Sequence, residues 1–369
     1  MQQFITVKTI IQPISITLKI KTTQYLEQGY YPIIDQGKTF IGGYTNDKTG
    51  LITQLPAIVF GDHTRAFKYV DFPFVAGADG VKVFRAKSCF LPKLLFYFLQ
   101  AITLPDRGYA RHYQYLVKSK IPVPPMAEQK RIVKKIEELF GVIDEQVKRL
   151  EATHAALVSY RQSILHSLFS SAIGEKVPLE KCLNYLQPTP YIVKSTDYME
   201  AGEVPVLTPG KTFILGFTKE KEGIFTNPLP VIIFDDFTTS TKLVDFPFKV
   251  KSSAMKILLA KEGVDIRYIY YIMQILSCPH DTHKRYWISI YAKMRIILPS
   301  LPEQKAIVKK IENAFAFADK AQAAIIGALE QAKQLKQSIL KRAFEGKLVP
   351  QDPNDKPVDL TQLKKDKHK

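Results

Sequence analysis

Two short stretches of this sequence carry residue types that could bind a phosphate group. Gly-Lys-Thr occurs at residues 37–39 and again at residues 210–212, as at the end of a phosphate-binding loop. Such a loop needs another glycine five positions earlier and a helix directly afterwards. Pro32 and Pro205 occupy the earlier positions, and a strand-like Phe-Ile pair follows each threonine. The spacing therefore argues against nucleotide binding.

A third stretch, Asn-Pro-Leu-Pro at residues 227–230, resembles the Asn/Asp-Pro-Pro-Tyr box of adenine methyltransferases. It lacks the stacking aromatic residue, and no glycine-rich cofactor loop accompanies it. The matching stretch in the first half of the chain, residues 52–56, does not keep the motif. We therefore expect a turn before a buried strand here.

Asp62 and His63 could take part in acid–base or metal chemistry. The matching residues in the second half are Asp236 and Phe237, so the duplicate lacks the histidine. The seven histidines of the chain are scattered without the spacing of metal ligands. We predict no metal, no cofactor and no catalytic residue. For the aspartates, two interpretations stay open: turn capping and contact with a nucleic-acid base.

The residues best suited to contact nucleic acid lie mainly in two loop clusters in each half of the chain. Lys and Arg beside Tyr or Trp suit phosphate contacts, whereas Arg, Asn, Gln, Asp and Thr suit base edges. The first half provides Lys38, Asp62, His63, Thr64, Arg65, Lys68, Lys82, Arg107, Arg111, His112 and Tyr113. The second half provides Lys211, Asp236, Thr238, Thr239, Ser240, Lys242, Lys256, Lys284, Arg285, Tyr286 and Trp287. Solvated surface loops are the alternative interpretation.

The composition favours a polyanionic partner. Lys and Arg number 52 against 35 Asp and Glu, so the formal net charge is +17, and the isoelectric point is near 9.5. Nucleic acid is the first candidate, an anionic membrane surface is the second, and a soluble protein with a charged surface is the third. No run of about 18 apolar residues occurs, so we expect no membrane-spanning helix.

Cysteine usage and the N-terminal residues indicate the compartment. The cysteines at positions 89, 182 and 278 are widely spaced and form no CxxC pair, which argues against a zinc site or a disulfide framework. Lys8, Gln12, Pro13 and Lys19 interrupt residues 4–20, where a signal peptide would need an apolar core. We therefore expect a reducing, cytoplasmic location.

The chain contains an internal duplication with a period of about 174 residues. Leu-Pro-Ala-Ile-Val-Phe-Gly-Asp at residues 55–62 is matched by Leu-Pro-Val-Ile-Ile-Phe-Asp-Asp at residues 229–236. Glu-Gln-Lys-Arg-Ile-Val-Lys-Lys-Ile-Glu at residues 128–137 is matched by Glu-Gln-Lys-Ala-Ile-Val-Lys-Lys-Ile-Glu at residues 303–312. A period this long indicates a duplicated domain with its linker rather than a solenoid.

Each repeat has a globular head followed by a long helix. The heads are rich in Val, Ile, Phe, Tyr and Thr, with Gly, Pro and Asp between short apolar runs, which indicates short strands. The sequence predicts an α+β fold with two pseudo-repeated mixed α/β domains joined by two long antiparallel coiled-coil helices. The predicted bounds are 1–125 and 173–300 for the heads, 126–172 and 301–345 for the helices, and 346–369 for a basic C-terminal tail.

Apolar residues repeat every seven positions along each predicted helix, as in a coiled coil. The first seam is Ile136, Ile143, Leu150, Leu157 and Ile164 in one helix, and Ile311, Ala318, Ile325, Ala332 and Ile339 in the other. The second predicted seam is Ile132, Leu139, Gln146, Thr153 and Tyr160, and Ile307, Ala314, Ala321, Ala328 and Leu335. Several large residues of the first helix match alanines of the second, which favours packing of the two helices on each other. Pairing with another chain is the alternative.

Several stretches resemble the specificity subunits of type I restriction-modification systems. They are Phe-Gly-Asp-His-Thr-Arg at residues 60–65, Ile-Pro-Val-Pro-Pro at 121–125 ahead of the Glu-Gln motif, and Phe-Glu-Gly-Lys-Leu-Val-Pro-Gln-Asp at 344–352. The likeness spans nearly the whole chain. It implies that the heads are target recognition domains and that the helices are the spacers between them.

The resemblance also implies a function. Such a subunit binds double-stranded DNA at an asymmetric two-part site, with one half-site for each head, and has no catalytic centre. The implied partners are methyltransferase subunits, two of them, and restriction subunits. A duplicated nucleic-acid-processing enzyme and a coiled-coil scaffold for proteins remain alternatives, although no nucleophile, base and orienting residue recur together in both halves. An orphan or recombination-generated copy without active partners is a further alternative.

Overall fold

The computed structural model describes residues 3–77, 80–106, 108, 110–210, 212–277 and 285–361. Arg107, Lys211 and Lys284, three residues of the predicted nucleic-acid surface, lie outside the described residues. The chain divides into two compact units, residues 1–150 with 327–369, and residues 151–326. Each unit combines one head with parts of both long helices, and the predicted domain bounds stay predictions.

The first unit consists of short strands and helices followed by the beginning of a long helix. Its elements are β1 (Phe4–Thr6), α1 (Val7–Ile10), β2 (Ile11–Pro13), β3 (Tyr31–Ile34), β4 (Gly43–Thr45), β5 (Leu51–Ile52), β6 (Ala57–Gly61), β7 (Phe67–Val70), β8 (Phe74–Ala76), β9 (Val81–Ala86), α2 (Pro92–Ala101), α3 (Tyr113–Leu116), β10 (Lys120–Pro122) and α4 (Met126–Ser170). A 3-10 turn lies at Thr22–Gln24. Helix α4 continues into the second unit.

The second unit repeats this order, except that none of its strands in the described residues matches β5. Its elements are β11 (Glu175–Pro178), α5 (Leu179–Cys182), β12 (Leu183–Leu186), β13 (Val204–Leu207), β14 (Ile214–Thr218), β15 (Val231–Asp235), β16 (Thr241–Val244), β17 (Lys249–Val250), β18 (Met255–Ala260), α6 (Ile266–Met273), α7 (Tyr286–Ser289), β19 (Arg295–Leu298) and α8 (Leu301–Phe344). Further 3-10 turns lie at Thr189–Tyr191 and Tyr291–Lys293. Helix α8 ends in the first unit.

Matching sheets form the two heads. In the first unit the strand orders are β2-β9-β6-β7 and β4-β3-β8-β5, and β1 pairs with β10. In the second unit they are β12-β18-β15-β16 and β14-β13-β17, and β11 pairs with β19. The pairings β3–β8 and β13–β17 are parallel, whereas the other pairings of named strands are antiparallel. No helix in the described part of the chain has the length and apolar character needed to cross a bilayer.

The central strand of each head separates two cores. Successive side chains of a strand point to opposite faces. In β6, Ile58 and Phe60 therefore face α2 and the long helices, whereas Val59 faces the second sheet. In β15, Phe234 and Ile233 divide in the same way. A strand that is covered on both faces is expected to be a continuous run of apolar residues. The apolar runs of β6 and β15 agree with their position between two cores.

The first predicted seam of each long helix is buried or half-buried along its whole length. The second predicted seam is wrong over the later part of α4, where Gln146, Thr153 and Tyr160 are exposed, whereas in α8 its last residue, Leu335, is the exposed one. The covered flanking positions follow the first seam by four residues: Phe140, Val147, His154, Arg161 and Leu168, and Phe315, Gln322, Leu329, Lys336 and Ala343. At 3.6 residues per turn, positions three and four residues away lie on opposite flanks of a seam. Packing covers one flank along most of α4, whereas in α8 it covers both flanks except at Leu335.

An ion pair and an aromatic ring join the two helices within the first unit. Lys336 of α8 lies over the ring of Phe140 of α4, with 4.9 Å from Nζ to the ring centroid. The same ammonium donates a hydrogen bond to the Asp144 carboxylate, one helical turn further along α4. The beginning of α4 therefore packs against the end of α8, which makes the pair antiparallel.

The second unit contains the same arrangement with the helices exchanged. Arg161 of α4 lies over the ring of Phe315 of α8 at 5.0 Å and donates to Asp319 at 2.6 Å. Phe315 and Asp319 match Phe140 and Asp144 of the first unit, and Arg161 matches Lys336. Each pair is separated along the chain by the same number of residues as Glu128 and Glu303. The duplication therefore extends to interactions that each repeat makes with the other.

A buried glutamine joins the head to α4 in the first unit. The Oε1 atom of Gln129 accepts a hydrogen bond from the backbone N–H of Leu91 at 2.8 Å. Its Nε2 atom donates to the carbonyl oxygens of Cys89 (3.1 Å) and Pro124 (2.9 Å). One side chain thus connects the segment before α2, the end of the β10 linker and the first turn of the long helix.

Gln304 plays the same part at the start of α8. It accepts from the N–H of Asp265 at 2.8 Å and donates to the carbonyl oxygens of Gly263 (3.2 Å) and Pro299 (2.9 Å). Both glutamines are almost fully buried. The Glu-Gln motif that begins each helix therefore has a structural explanation in its second residue.

We predict that Gln129→Leu lowers the free energy of unfolding by about 2–4 kcal/mol, because three backbone groups lose their partner inside the protein. Urea unfolding followed by circular dichroism measures the change. Gln146→Leu is the control, because that glutamine is exposed on the same helix and its replacement should stay within about 0.5 kcal/mol. Equal effects of the two substitutions would contradict the assigned role of Gln129.

Candidate nucleic-acid interface

Asp62 links the two predicted loop clusters of the first unit. It follows β6 directly and is buried. Its backbone carbonyl accepts from the N–H of His112 at 2.9 Å, and its carboxylate accepts from the N–H of Tyr113 at 2.7 Å. Its own N–H donates to the Gly80 carbonyl at 2.7 Å. The aspartate therefore holds the loop after β6 against the residues that begin α3.

Asp236 makes the same set of bonds in the second unit. Its carbonyl accepts from the N–H of Tyr286 at 2.9 Å, and its carboxylate accepts from the N–H of Trp287 at 2.8 Å. Its N–H donates to the carbonyl of Ala254 at 2.9 Å. We call this arrangement, Asp62 with residues 112–113 and Asp236 with residues 286–287, the aspartate clamp. The structure favours capping over base contact for both aspartates.

The loop between β6 and β7 has an unusual backbone conformation, and so has the matching loop between β15 and β16. Arg65 and Thr239 have φ angles of 61° and 59°, in the left-handed region that non-glycine residues rarely adopt. Their N–H groups donate to the carbonyl oxygens of Gly61 (2.8 Å) and Asp235 (2.9 Å). The strain is largest for a β-branched residue such as Thr239, and strain of this kind clusters at binding sites.

Seven residues of the predicted surface have buried side chains, and for them the prediction of a direct nucleic-acid contact is corrected. They are Asp62, Lys68, His112, Asp236, Lys256, Tyr286 and Trp287. The two aromatic residues pack in the core of the second unit. Basic and aromatic side chains can be buried in a core when their polar atoms have partners, and they can also line a DNA-binding surface. Residue type alone therefore could not tell the buried residues from the exposed ones.

The buried lysines support the loops from below. Lys68 donates to the carbonyl oxygen of Thr39 at 2.6 Å and lies 3.4 Å from a carboxylate oxygen of Asp35. Burial lowers the pKa of the Lys68 ammonium, and the Asp35 carboxylate acts against that shift. The Gly-Lys-Thr stretch at residues 37–39 is thus held by a lysine from β7, and it precedes no helix.

Lys256 supports the aspartate clamp of the second unit. Its Nζ lies 3.5 Å from the Asp236 carboxylate and donates to the side-chain oxygen of Gln187 at 3.0 Å. It also lies 5.9 Å from the ring centroid of Tyr185. The matching Lys82 is exposed, with its Nζ 5.6 Å from the ring centroid of Tyr113. The two heads therefore share a clamp but surround it differently.

The remaining predicted residues are exposed or half-buried beside the clamp or on its neighbouring loops. They are Lys38, His63, Thr64, Arg65, Lys82, Arg111 and Tyr113 in the first unit, and Thr238, Thr239, Ser240, Lys242 and Arg285 in the second. Arg65 forms an ion pair with Asp106 at 3.3 Å. In the second unit, Lys242 has its ammonium 5.9 Å from the ring centroid of Phe213. Cations and hydroxyls thus share one loop surface in each unit.

Phe237 was missed by the sequence-based list. Its side chain is 48% exposed at the tip of the loop that contains Thr239, where the first unit has His63. A large exposed aromatic ring beside polar loop residues can stack on a base or enter a base step. The alignment of the two repeats could have identified Phe237, because it matches His63 and both side chains carry a planar ring.

In the described part of the chain, no group of three or more His, Cys, Asp and Glu side chains is arranged to hold a metal ion. The clamp aspartates are engaged by backbone N–H groups, and His112 faces the Asp62 carbonyl through Nδ1 at 3.0 Å. The arrangement suits the presentation of loop side chains to a ligand surface.

Comparisons with known proteins show similarity in sequence and in fold. The family described as “Type I restriction modification DNA specificity domain” matches residues 11–152. The chain is 43% identical over 163 residues to the specificity subunit of the Escherichia coli type I restriction enzyme EcoR124I/EcoR124II, which covers 41% of this chain and 40% of that protein. It is 25% identical over 271 residues to the EcoKI specificity subunit of E. coli strain K12, covering 63% of this chain and 58% of that protein.

These matches span less than two thirds of the relatives' own length. The fold extends further, because a chain solved in work on complex assembly and conformational transition of the type I R-M system superposes with a TM-score of 0.66. That likeness covers 94% of this chain and 98% of the other at 16% identity. Residues 11–152 thus match a type I restriction modification DNA specificity domain, and the chain is similar to the specificity subunits of type I restriction enzymes.

Proposed function

We propose that this chain reads DNA for a type I restriction-modification complex and performs no catalysis itself. Each head contacts one half of an asymmetric two-part site in double-stranded DNA. The methyltransferase subunits, two in number, and the restriction subunits supply the chemistry. The basic composition of the chain supports this proposal, because neutralisation of phosphates provides much of the affinity of such complexes.

The observation that carries the proposal is the aspartate clamp. It fixes the same pair of loops in both heads, while exposed residues on those loops differ: His63 and Arg65 match Phe237 and Thr239, and a threonine stays between them in both heads. A constant frame with different exposed groups suits two readers of different sequences. An enzyme with duplicated active sites would instead keep its reactive side chains at matching positions.

We expect Arg111→Ala to weaken DNA binding and to reduce the salt dependence of affinity by about 0.9 in the log–log slope, the value for one lost phosphate contact. Arg111 is exposed directly before the clamp residues His112 and Tyr113. The measurement is fluorescence anisotropy with cognate duplex DNA over a range of salt concentrations, using the chain assembled with its methyltransferase subunits. Lys134→Ala, at an exposed lysine on α4, is the control. An unchanged slope for Arg111→Ala would remove this arginine from the interface.

Thr239→Gly should stabilise the protein by about 1 kcal/mol, because glycine adopts a positive φ without strain. The same substitution removes a base-reading group, so discrimination at one base pair should fall by about 1–3 kcal/mol. Urea unfolding and binding to a panel of single-base variants measure the two effects. Thr238→Gly is the control, because Thr238 shares the loop without a positive φ. Destabilisation by Thr239→Gly would show that the conformation carries no strain.

The long helices are proposed to set the distance between the half-sites. Helix α4 has 45 residues and is roughly 65–70 Å long at 1.5 Å per residue. Inserting seven residues between Leu150 and Leu157 keeps the seam in register and adds roughly 10 Å, the length of about three base pairs. Because α8 keeps its length, we expect the unread spacer to grow by about one to three base pairs with unchanged half-sites.

Methylation mapping in cells that carry the partner subunits measures this change. An insertion of three or four residues is the matched comparison, because it rotates the seam and should lower stability more. Altered half-sites with an unaltered spacer would contradict the proposed role of the helices while leaving DNA reading by the heads intact.

A further inference from the structure

The glutamate of the Glu-Gln motif has different surroundings in the two units. In the second unit, Glu303 is exposed, and its carboxylate accepts from the backbone N–H and the hydroxyl of Ser300 at 3.0 and 2.7 Å. A glutamate at this place satisfies a donor that the first turn of a helix leaves free. The two hydrogen bonds lower the pKa of the Glu303 carboxyl. Glu303 therefore caps α8.

The first unit lacks this cap. Pro125 stands where the second unit has Ser300, and proline has neither a backbone N–H nor a hydroxyl. The Glu128 side chain is instead buried, with 5% exposed, and its Oε1 atom has no hydrogen-bond partner among the described residues. Burial of a carboxylate without partners is costly. Glu303 shows that the same helix start can satisfy its glutamate, so the fold does not require this cost.

Glu128 lines a cleft of about 260 Å³ at the start of α4. We call residues 346–361, which follow α8, the tail. The tail contributes Gln351 and Asp352 to the lining of the cleft, and Gln3 is the remaining polar lining residue. One valine and three prolines complete the lining, and none of the described lining residues is a lysine or an arginine. Two carboxylates and two carboxamides thus line a cleft that is otherwise apolar.

The charges near the cleft leave Glu128 uncompensated. Burial raises the pKa of the Glu128 carboxyl; the Arg131 guanidinium acts against that shift, and the Asp355 carboxylate adds to it. Arg131 itself holds Asp355 with two guanidinium nitrogens, at 2.5 and 3.4 Å. A further positive charge in the cleft would therefore stabilise the ionised form of Glu128.

The lining favours an organic cation over a metal ion. In the described residues, no cluster of three or more His, Cys, Asp and Glu side chains is placed to hold a metal. A guanidinium group presents five N–H donors in one plane and is more weakly hydrated than an ammonium group. Carboxylate and carboxamide oxygens accept such donors. An alkyl stem can lie along the valine and proline side chains.

We propose that the cleft between the start of α4 and the tail binds an alkylguanidinium group, with Glu128 as its principal carboxylate and Asp352 as the second. The arginine side chain of a partner subunit and a small free guanidinium compound share this chemistry. The inference goes beyond DNA reading by the heads, because the cleft contains none of the predicted loop residues.

Saturation-transfer NMR with the full-length chain and propylguanidinium as the probe tests this assignment. We expect saturable transfer to the propyl protons and binding that Glu128→Gln weakens by about tenfold, because a charge-assisted hydrogen bond is lost. Glu303→Gln is the matched control: it makes the same change at the matching exposed glutamate and should leave binding unchanged. Propylurea, which has a neutral head of similar shape, should not displace the probe.

Asp352→Asn is a second variant at an exposed residue. It keeps the acceptor oxygen that the N–H of Asn354 uses at 2.9 Å, so the variant should fold as the parent chain does. Binding should weaken by about two- to fivefold, as expected for an exposed charge pair. Absence of saturable binding would overturn the proposal. Binding that Glu128→Gln leaves unchanged, or an equal loss in Glu303→Gln, would do the same.

The same titration on the chain assembled with its methyltransferase subunits identifies the source of the guanidinium group. Loss of probe binding on assembly would assign the cleft to an arginine side chain of a partner subunit. Probe binding that persists in the complex would assign it to a small free compound. Neither result depends on DNA, so failure of this proposal and failure of DNA reading are distinguishable.

Discussion

Each half of this protein depends on a buried primary amide where the head meets its helix. Gln129 and Gln304 each use two donor hydrogens and one acceptor oxygen to satisfy backbone groups from three segments. A carboxylate at this position would introduce a buried charge, and an aliphatic side chain would leave buried polar groups without partners. The position of each head on its helix, and hence of its loops, follows from this requirement.

The aspartate clamp separates what must stay constant in a head from what can change. Asp62 and Asp236 each accept a hydrogen bond from one backbone N–H group of the frame, which any residue except proline provides. The side chains on the clamped residues are therefore free to differ, and His112 becomes Tyr286 without altering the backbone hydrogen bond to the aspartate carbonyl. This division allows two copies of one fold to acquire different ligand preferences while both remain stable.

The long helices are held by interactions that the duplication repeats. Each unit places a cation of one helix over a phenylalanine of the other and pairs it with an aspartate one turn away. The cation is Lys336 in one case and Arg161 in the other, which indicates that charge and reach are required rather than one hydrogen-bonding geometry. An antiparallel pair brings matching positions of two repeats together in this way, so each repeat completes the other.

The sequence by itself determined the duplication, the two long helices and the first seam, because these depend on local periodicity and on repetition within one chain. It could not assign the second seam, since Tyr160 and Arg161 lie on neighbouring positions of a helix and only contact with the partner helix buries one of them. It likewise could not separate Trp287, which is in the core, from Arg111, which faces solvent. Both residues suit a DNA-binding loop by type. Burial depends on long-range packing, and that was decided by the tertiary structure alone.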